Sequence, residues 1–150
     1  MMKLAYYEIT IEHLPVLMPI EIACHSHPWS EKTFASCIGG RYFGEYTTEQ
    51  HTSEVNGFYI GEYVAGEATL MDICVHPTKQ GKGLGKQLLN QFINQSKAQG
   101  ATKIWLEVRS SNIAAQMLYI NHGFIETGRR TGYYPKAIGY EDAIIMCKTC

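Results

Sequence analysis

Between Ile73 and Lys86 the chain reads Ile-Cys-Val-His-Pro-Thr-Lys-Gln-Gly-Lys-Gly-Leu-Gly-Lys. A β-branched strand end passes through a proline turn into a glycine-rich loop, and the loop opens into an amphipathic helix. The first backbone N–H groups of a helix have no partner inside it, and the positive end of the helix dipole adds to them. Glycines at 81, 83 and 85 remove the Cβ atoms that would hold a ligand away. The chemistry available to this stretch is the holding of phosphate, and a pyrophosphate fits it. Lys82 and Lys86 either add positive charge to that site or are ordinary solvated lysines at a helix start.

Other residues could carry protons or metals. In Trp105-Leu106-Glu107-Val108-Arg109, strand alternation puts Trp105, Glu107 and Arg109 on one face and Ile104, Leu106 and Val108 on the other. Glu107 is then either a general base or a carboxylate that is solvated or paired with an arginine. Tyr119, a phenol protonated at neutral pH, is either a proton donor or a helix tyrosine packed in the core with its hydroxyl satisfied. Asn112 suits an N-cap. His25-x-His27 is half a metal site with no Cys, Asp or Glu set apparent near it, so no metal is expected. Cys74 would need an activating His or Lys beside it to act as a nucleophile. His76 points to the other side of a regular strand, so Cys74 reads as a small core or backbone-donor position.

The elements that must position these residues follow from pattern and punctuation. Leu4 to Ile9 reads as a strand. A helix lies between Leu14 and His25, where Pro15 suits a first turn and Pro19 would kink or delay it. Ser30 caps a short helix through about Cys37. Arg41 to Thr47, Gly57 to Val64 and Glu67 to Val75 form an antiparallel meander, with a hairpin loop over Thr48 to Glu54 and a tight turn at Ala65-Gly66. Apolar residues Leu84, Leu88, Leu89, Phe92 and Ile93 then follow helical spacing until Gly100. Lys103 to Val108 is a strand, Ile113 to Asn121 a helix, and Phe124 to Arg130 and Asp142 to Cys147 the last two strands, joined by a polar, aromatic loop. This order gives an α/β sandwich on a mixed, mostly antiparallel sheet, in which the loop and helix after Val75 cross over to a parallel partner.

The 150 residues suit one domain, 1–150. A formal net charge of −1 without a basic block argues against direct nucleic-acid binding. No apolar run has signal-peptide or membrane-spanning length, so no membrane association is expected. Five cysteines, an odd number, in a chain without a signal-peptide run favour reduced thiols and a cytoplasmic protein.

Gln80-Gly-Lys-Gly83-Leu-Gly85, preceded by Glu67-Ala-Thr-Leu70 and followed by Trp105 to Arg109, Asn112 and Tyr119-x-x-x-x-Phe124, resembles the GCN5-related N-acetyltransferase (GNAT) superfamily. Pro28 to Ser36, Tyr133 to Pro135 and Glu141 to Met146 narrow the likeness to the bacterial ribosomal-protein-alanine acetyltransferases. The resemblance implies the GNAT fold, with a mixed, mostly antiparallel central sheet flanked by helices. It implies acetyl-CoA as co-substrate, held by the backbone of Ile73, Cys74 and Val75, by Gly81, Lys82, Gly83, Leu84, Gly85 and Lys86 at the pyrophosphate, and by Asn112. It implies Glu107 as proton acceptor and Tyr119 as proton donor in direct attack within a ternary complex. The acceptor it implies is the N-terminal alanine of small-subunit ribosomal protein eighteen. Tyr133 and Tyr134, with Arg129 and Arg130 before them, would cover that peptide opposite Pro28 and Trp29, or else would form an ordinary aromatic loop packed on Trp29. The competing readings are an acetyltransferase for lysine side chains or a small-molecule amine, and a non-catalytic acyl-CoA-binding module.

Overall fold

The computed structural model describes residues 3–150. Seven strands form one sheet: β1 (Leu4–Glu8), β2 (Tyr42–Glu49), β3 (Val55–Val64), β4 (Glu67–Val75), β5 (Lys103–Arg109), β6 (Ile125–Pro135) and β7 (Tyr140–Thr149), in the order β1-β2-β3-β4-β5-β7-β6. The helices are α1 (Leu14–Cys24), α2 (Glu31–Ser36), α3 (Leu84–Ala98) and α4 (Ile113–Asn121). β4 and β5 are the parallel pair, and the other neighbours run antiparallel. The expected meander, crossover and mostly antiparallel sheet are all present.

Sheet alternation feeds two cores. Tyr59 of β3 packs with Leu88, Leu89 and Phe92 of α3 on one face. Its neighbours Phe58 and Ile60 pack with Leu17 and Ile20 of α1 and Phe34 of α2 on the other. Ser30 caps α2 as expected, its Oγ accepting from the Thr33 N–H at 3.1 Å. Pro19 neither delays α1 nor ends it. An interior proline costs a helix about 3 kcal/mol, but Leu14, Leu17 and Ile20 are buried, and each such side chain returns roughly 1.5–3 kcal/mol.

Two departures from the sequence expectations matter for function. β6 extends to Pro135 and β7 begins at Tyr140, so Tyr133, Tyr134 and Pro135 are strand residues, not a loop. The pairing of β6 slips between Arg130 and Tyr134, and that irregularity is what alternation reasoning could not see. The second departure is a bulge. Ile60 pairs with Asp72 but Gly61 pairs with Leu70, so Met71 is an extra residue in β4. The bulge reverses the facing of the strand: Leu70 lies in the α3 core, whereas Cys74 lies in the α1 core.

Candidate active site

β4 and β5 pair only where Glu67, Ala68 and Thr69 meet Lys103, Ile104 and Trp105, although both strands run on, to Val75 and Arg109. β4 stays on β3 past its bulge while β5 stays on β7. The two strands therefore splay, and the β5-facing edge of β4 from Leu70 onward has no strand to pair with. A cleft of about 580 Å³ opens there, lined by Ile73 from β4, Glu107 and Arg109 from β5, Asn112 and Tyr119 from the α4 region, Trp29, and Tyr133 and Tyr134 from β6. Residues far apart in sequence and singled out for their chemistry thus share one cavity.

Glu107 is half-buried, and its Oε1 accepts from Arg130 Nε at 2.7 Å. The carboxylate lines the cleft and is paired with an arginine, as one of the two sequence readings expected. An ion pair this exposed is screened by water and contributes little, so it yields readily to an incoming cationic group. Tyr119 is buried and meets Phe124 edge-on, with centroids 6.0 Å apart. Burial pushes its hydroxyl well above the ordinary phenol value, with a smaller contribution from Tyr134. The hydroxyl is therefore protonated throughout the neutral and mildly alkaline range. Asn112 is the N-cap of α4, its side chain accepting from the Ala115 N–H at 3.1 Å.

The glycine loop lies beyond the end of β4, outside the cleft, and is exposed at Gly81, Lys82 and Gly83. His76 caps a short 3-10 turn at Pro77–Lys79 through the Thr78 N–H, and Gln80 Nε2 donates to the Val75 carbonyl at 3.2 Å. Both contacts fold the loop back toward its strand. Gly81 and Gly83 have φ of +77° and +80°, and a Cβ at either would meet open space. Their requirement is therefore the left-handed backbone itself, not room for a neighbour. Gly83 is the N-cap of α3 and supplies no side-chain cap, so the first N–H groups of that 15-residue helix remain available to an anion. These features fit a pantetheine arm along the open edge of β4 and a pyrophosphate at the start of α3.

The aromatic wall is held by Arg109. Its Nη1 donates to the Pro135 carbonyl at 2.8 Å and to Glu141 Oε1 at 3.0 Å, while its guanidinium lies 4.6 Å over the Tyr134 ring. Ser111 and Arg109 hold the Glu141 carboxyl below its usual range. Nη2 of Arg109 reaches His27 Nδ1 at 3.2 Å. Arg130 covers Tyr133 at 5.3 Å. Trp29 packs edge-on against Phe34, not against Tyr133 or Tyr134, so the expected alternative of a loop packed on Trp29 is not what forms. The two sides face each other across the cleft.

A group that sequence reasoning missed occupies the α1 side. Cleft-lining Glu21, Cys24, His25 and Asp72 surround Cys74. His25 Nε2 lies 2.8 Å from Asp72 Oδ1 and 3.1 Å from Cys74 Sγ. The hydrogen bond to Asp72 raises His25 to about 9, and burial raises Glu21 to about 8. Two expectations had faulty premises. His25 does have Cys, Asp and Glu neighbours: Cys24 directly before it, Glu21 one helical turn earlier, and Asp72 and Cys74 from β4. Cys74 does have a histidine beside it, His25 and not His76. Cys74 is nevertheless 1% exposed and burial raises its thiol, neither of which suits a nucleophile. Strict alternation would put Leu70, Asp72 and Cys74 on one face; the bulge at Met71 is why no sequence signal revealed the cluster.

The acetyltransferase (GNAT) family matches residues 14–124. The [ribosomal protein bS18]-alanine N-acetyltransferase of Escherichia coli K12 is 46% identical over 133 residues, covering 89% of this chain and 88% of that protein. The enzyme of the same name from Haemophilus influenzae is 43% identical, covering 87% and 88%. The crystal structure of the E. coli ribosomal-protein-S18-alanine N-acetyltransferase superimposes with a TM-score of 0.92 at 42% identity, over 97% of this chain and 93% of that one. Arabidopsis thaliana NAA60, at 18% identity and a TM-score of 0.84, shares the fold. With its splayed β4 and β5 and its glycine loop at the start of α3, the chain belongs to the GNAT family of acetyltransferases.

Proposed function

We propose that this protein transfers the acetyl group of acetyl-CoA to the N-terminal α-amine of ribosomal protein bS18, whose first residue is alanine. The observation that carries the reading is identity of 46% across 89% of the chain to an enzyme named for that reaction. The cleft supports it independently, because Ile73, Glu107 and Tyr119 line one cavity.

When bound, acetyl-CoA supplies the activated acyl group. The open edge of β4 at Ile73 to Val75 offers backbone hydrogen bonds to an amide-bearing arm, and an N–H there polarises the acyl carbonyl. Gly81 to Lys86 take the pyrophosphate, and Asn112 adds a contact beside the cap it already forms. Glu107 accepts the proton that the α-amine gives up as its nitrogen bonds to the acyl carbon. An α-amine ionises near ~8, against ~10.4 for lysine, so at neutral pH this proton is cheap to remove. Tyr119 donates its proton to the sulfur as the carbon–sulfur bond breaks. Trp29 on one side and Tyr133 and Tyr134 on the other hold the acceptor peptide, so the amine attacks directly in a ternary complex. The protein acts in the cytoplasm, on an acceptor bound as protein and not through nucleic acid or a membrane; no helix among the described residues is long and apolar enough to cross one.

Incubation of the full chain with acetyl-CoA and an alanine-started bS18 peptide, followed by mass mapping, tests this. The acetyl group is expected on the terminal nitrogen. Label confined to lysine side chains, with the terminus free, would overturn the proposal.

A further inference from the structure

The cluster between α1 and β4 has the composition of a metal site. Cys24 closes α1, and His25 follows it with extended backbone at φ −120° and ψ 141°. That change of direction lets adjacent side chains converge. The ligand atoms of Cys24, His25 and Cys74 all lie within 4.8 Å of one another, and those of Glu21, His25, Asp72 and Cys74 do likewise. Individual separations are 2.8 Å from His25 Nε2 to Asp72 Oδ1 and 3.5 Å from Cys74 Sγ to Asp72 Oδ1. With metal–ligand bonds of about 2.0–2.3 Å, neighbouring ligands of a tetrahedral zinc lie roughly 3.3–3.8 Å apart; Cys24 and Asp72 belong to different groups of the two, so one ion held by both requires their side chains to rotate toward it.

A further observation points to a cation. Asp72 Oδ2 is buried and has no hydrogen-bond partner, although a buried carboxylate oxygen without a partner is costly. Glu21 and Asp72 both face the His25 imidazole, at 3.7 Å and 2.8 Å. Glu21 already spends Oε2 on the Trp29 N–H at 2.9 Å, which suits it to support a site more than to complete one.

We propose that Cys24, His25, Asp72 and Cys74 bind a thiolate-preferring divalent metal of the zinc class, clamping the end of α1 to β4 in the wall of the acceptor cleft. Two sulfurs and an imidazole select against magnesium and calcium, which take oxygen ligands. This departs from the sequence expectation of no metal, on contacts that only the tertiary structure supplies. Because Glu21, Cys24, His25 and Asp72 line the cleft, the metal would stiffen the wall that meets the acceptor. The site stands whether or not the acetyl-transfer reading holds.

Cobalt(II) titration of the reduced, full-length, metal-stripped chain provides the test. A single equivalent is expected to give the intense thiolate-to-cobalt band and tetrahedral visible bands, which zinc then bleaches. Cys24→Ser and Asp72→Asn are each expected to weaken cobalt binding on the order of 10- to 100-fold or more, while Cys150→Ser, at an exposed cysteine, leaves it unchanged. Thermal melts of the metal-free variants establish that each is folded, and zinc is expected to raise the melting temperature of the parent but not of Cys24→Ser. Absence of the thiolate band, or a band that survives both substitutions in folded protein, would overturn the site. So would a zinc-resistant Cys24–Cys74 disulfide, seen as the loss of two hydrogens by mass, as the state purified under reducing conditions.

Discussion

Glu107 and Tyr119 divide the proton traffic of the proposed reaction by their surroundings. The carboxylate stands at the cleft in an exposed pair with Arg130, and the phenol is buried against Phe124. Glu107→Gln is expected to lower kcat by roughly 10²–10⁴, the usual contribution of a positioned base, with little change in KM for acetyl-CoA. Steady-state kinetics check this, and full turnover by the Glu107→Gln, Tyr119→Phe double variant would refute both roles. The pH dependence follows from the same residues. A donor works below its pKa and fails above it; burial moves Tyr119 upward, so its failure is displaced to higher pH. Single-turnover rates should therefore rise as the α-amine deprotonates near ~8 and show no decline below about pH 10, the ordinary phenol value. A fall of the rate between pH 8 and 9 in folded enzyme would contradict a buried Tyr119 donor.

At the scale of elements, the loop and helix after β4 are set by backbone handedness. Gly83 at φ +80° begins α3 without a side-chain cap. Gly83→Ala costs about 1–2 kcal/mol for the left-handed conformation, and relaxation of that strain would turn the first N–H groups of α3 away from the pyrophosphate. The expected outcome is a several-fold higher dissociation constant for CoA by calorimetry, with kcat at saturation nearly preserved. Unchanged CoA affinity would show that the loop is not the anion site. The glycine loop is visible in sequence because its glycines stand between a strand pattern and a run of helical spacing. The bulge at Met71 was not, since nothing in Leu70-Met71-Asp72 departs from an ordinary strand.

The whole molecule brings the two halves of the cleft together through Arg109. One guanidinium contacts His27 after α1, the Pro135 carbonyl of β6, Glu141 of β7 and the ring of Tyr134. Lysine keeps the charge but cannot reproduce the planar fork. Arg109→Lys should raise KM for the acceptor peptide on the order of tenfold, or ~1.4 kcal/mol, while leaving KM for acetyl-CoA unchanged. An equal rise in both constants would mean that Arg109 serves general stability and not the acceptor wall.

Sequence alone determined the order of strands and helices, the crossover after Val75, the cap at Ser30 and the glycine loop. Each of these depends on local periodicity or on the conformational limits of one or two residues. It also marked Glu107 and Tyr119, but their neighbours came only with the fold. The splay of β4 from β5 is settled by which strands keep which partners, and the strand status of Tyr133 to Pro135 by pairing with β7. The meeting of Cys24 and His25 with Asp72 and Cys74 rests on one extra residue in a strand roughly fifty positions away. Side-chain facing in a sheet is a parity, and a single bulge inverts it. Local pattern cannot report that inversion; the register against β3 can.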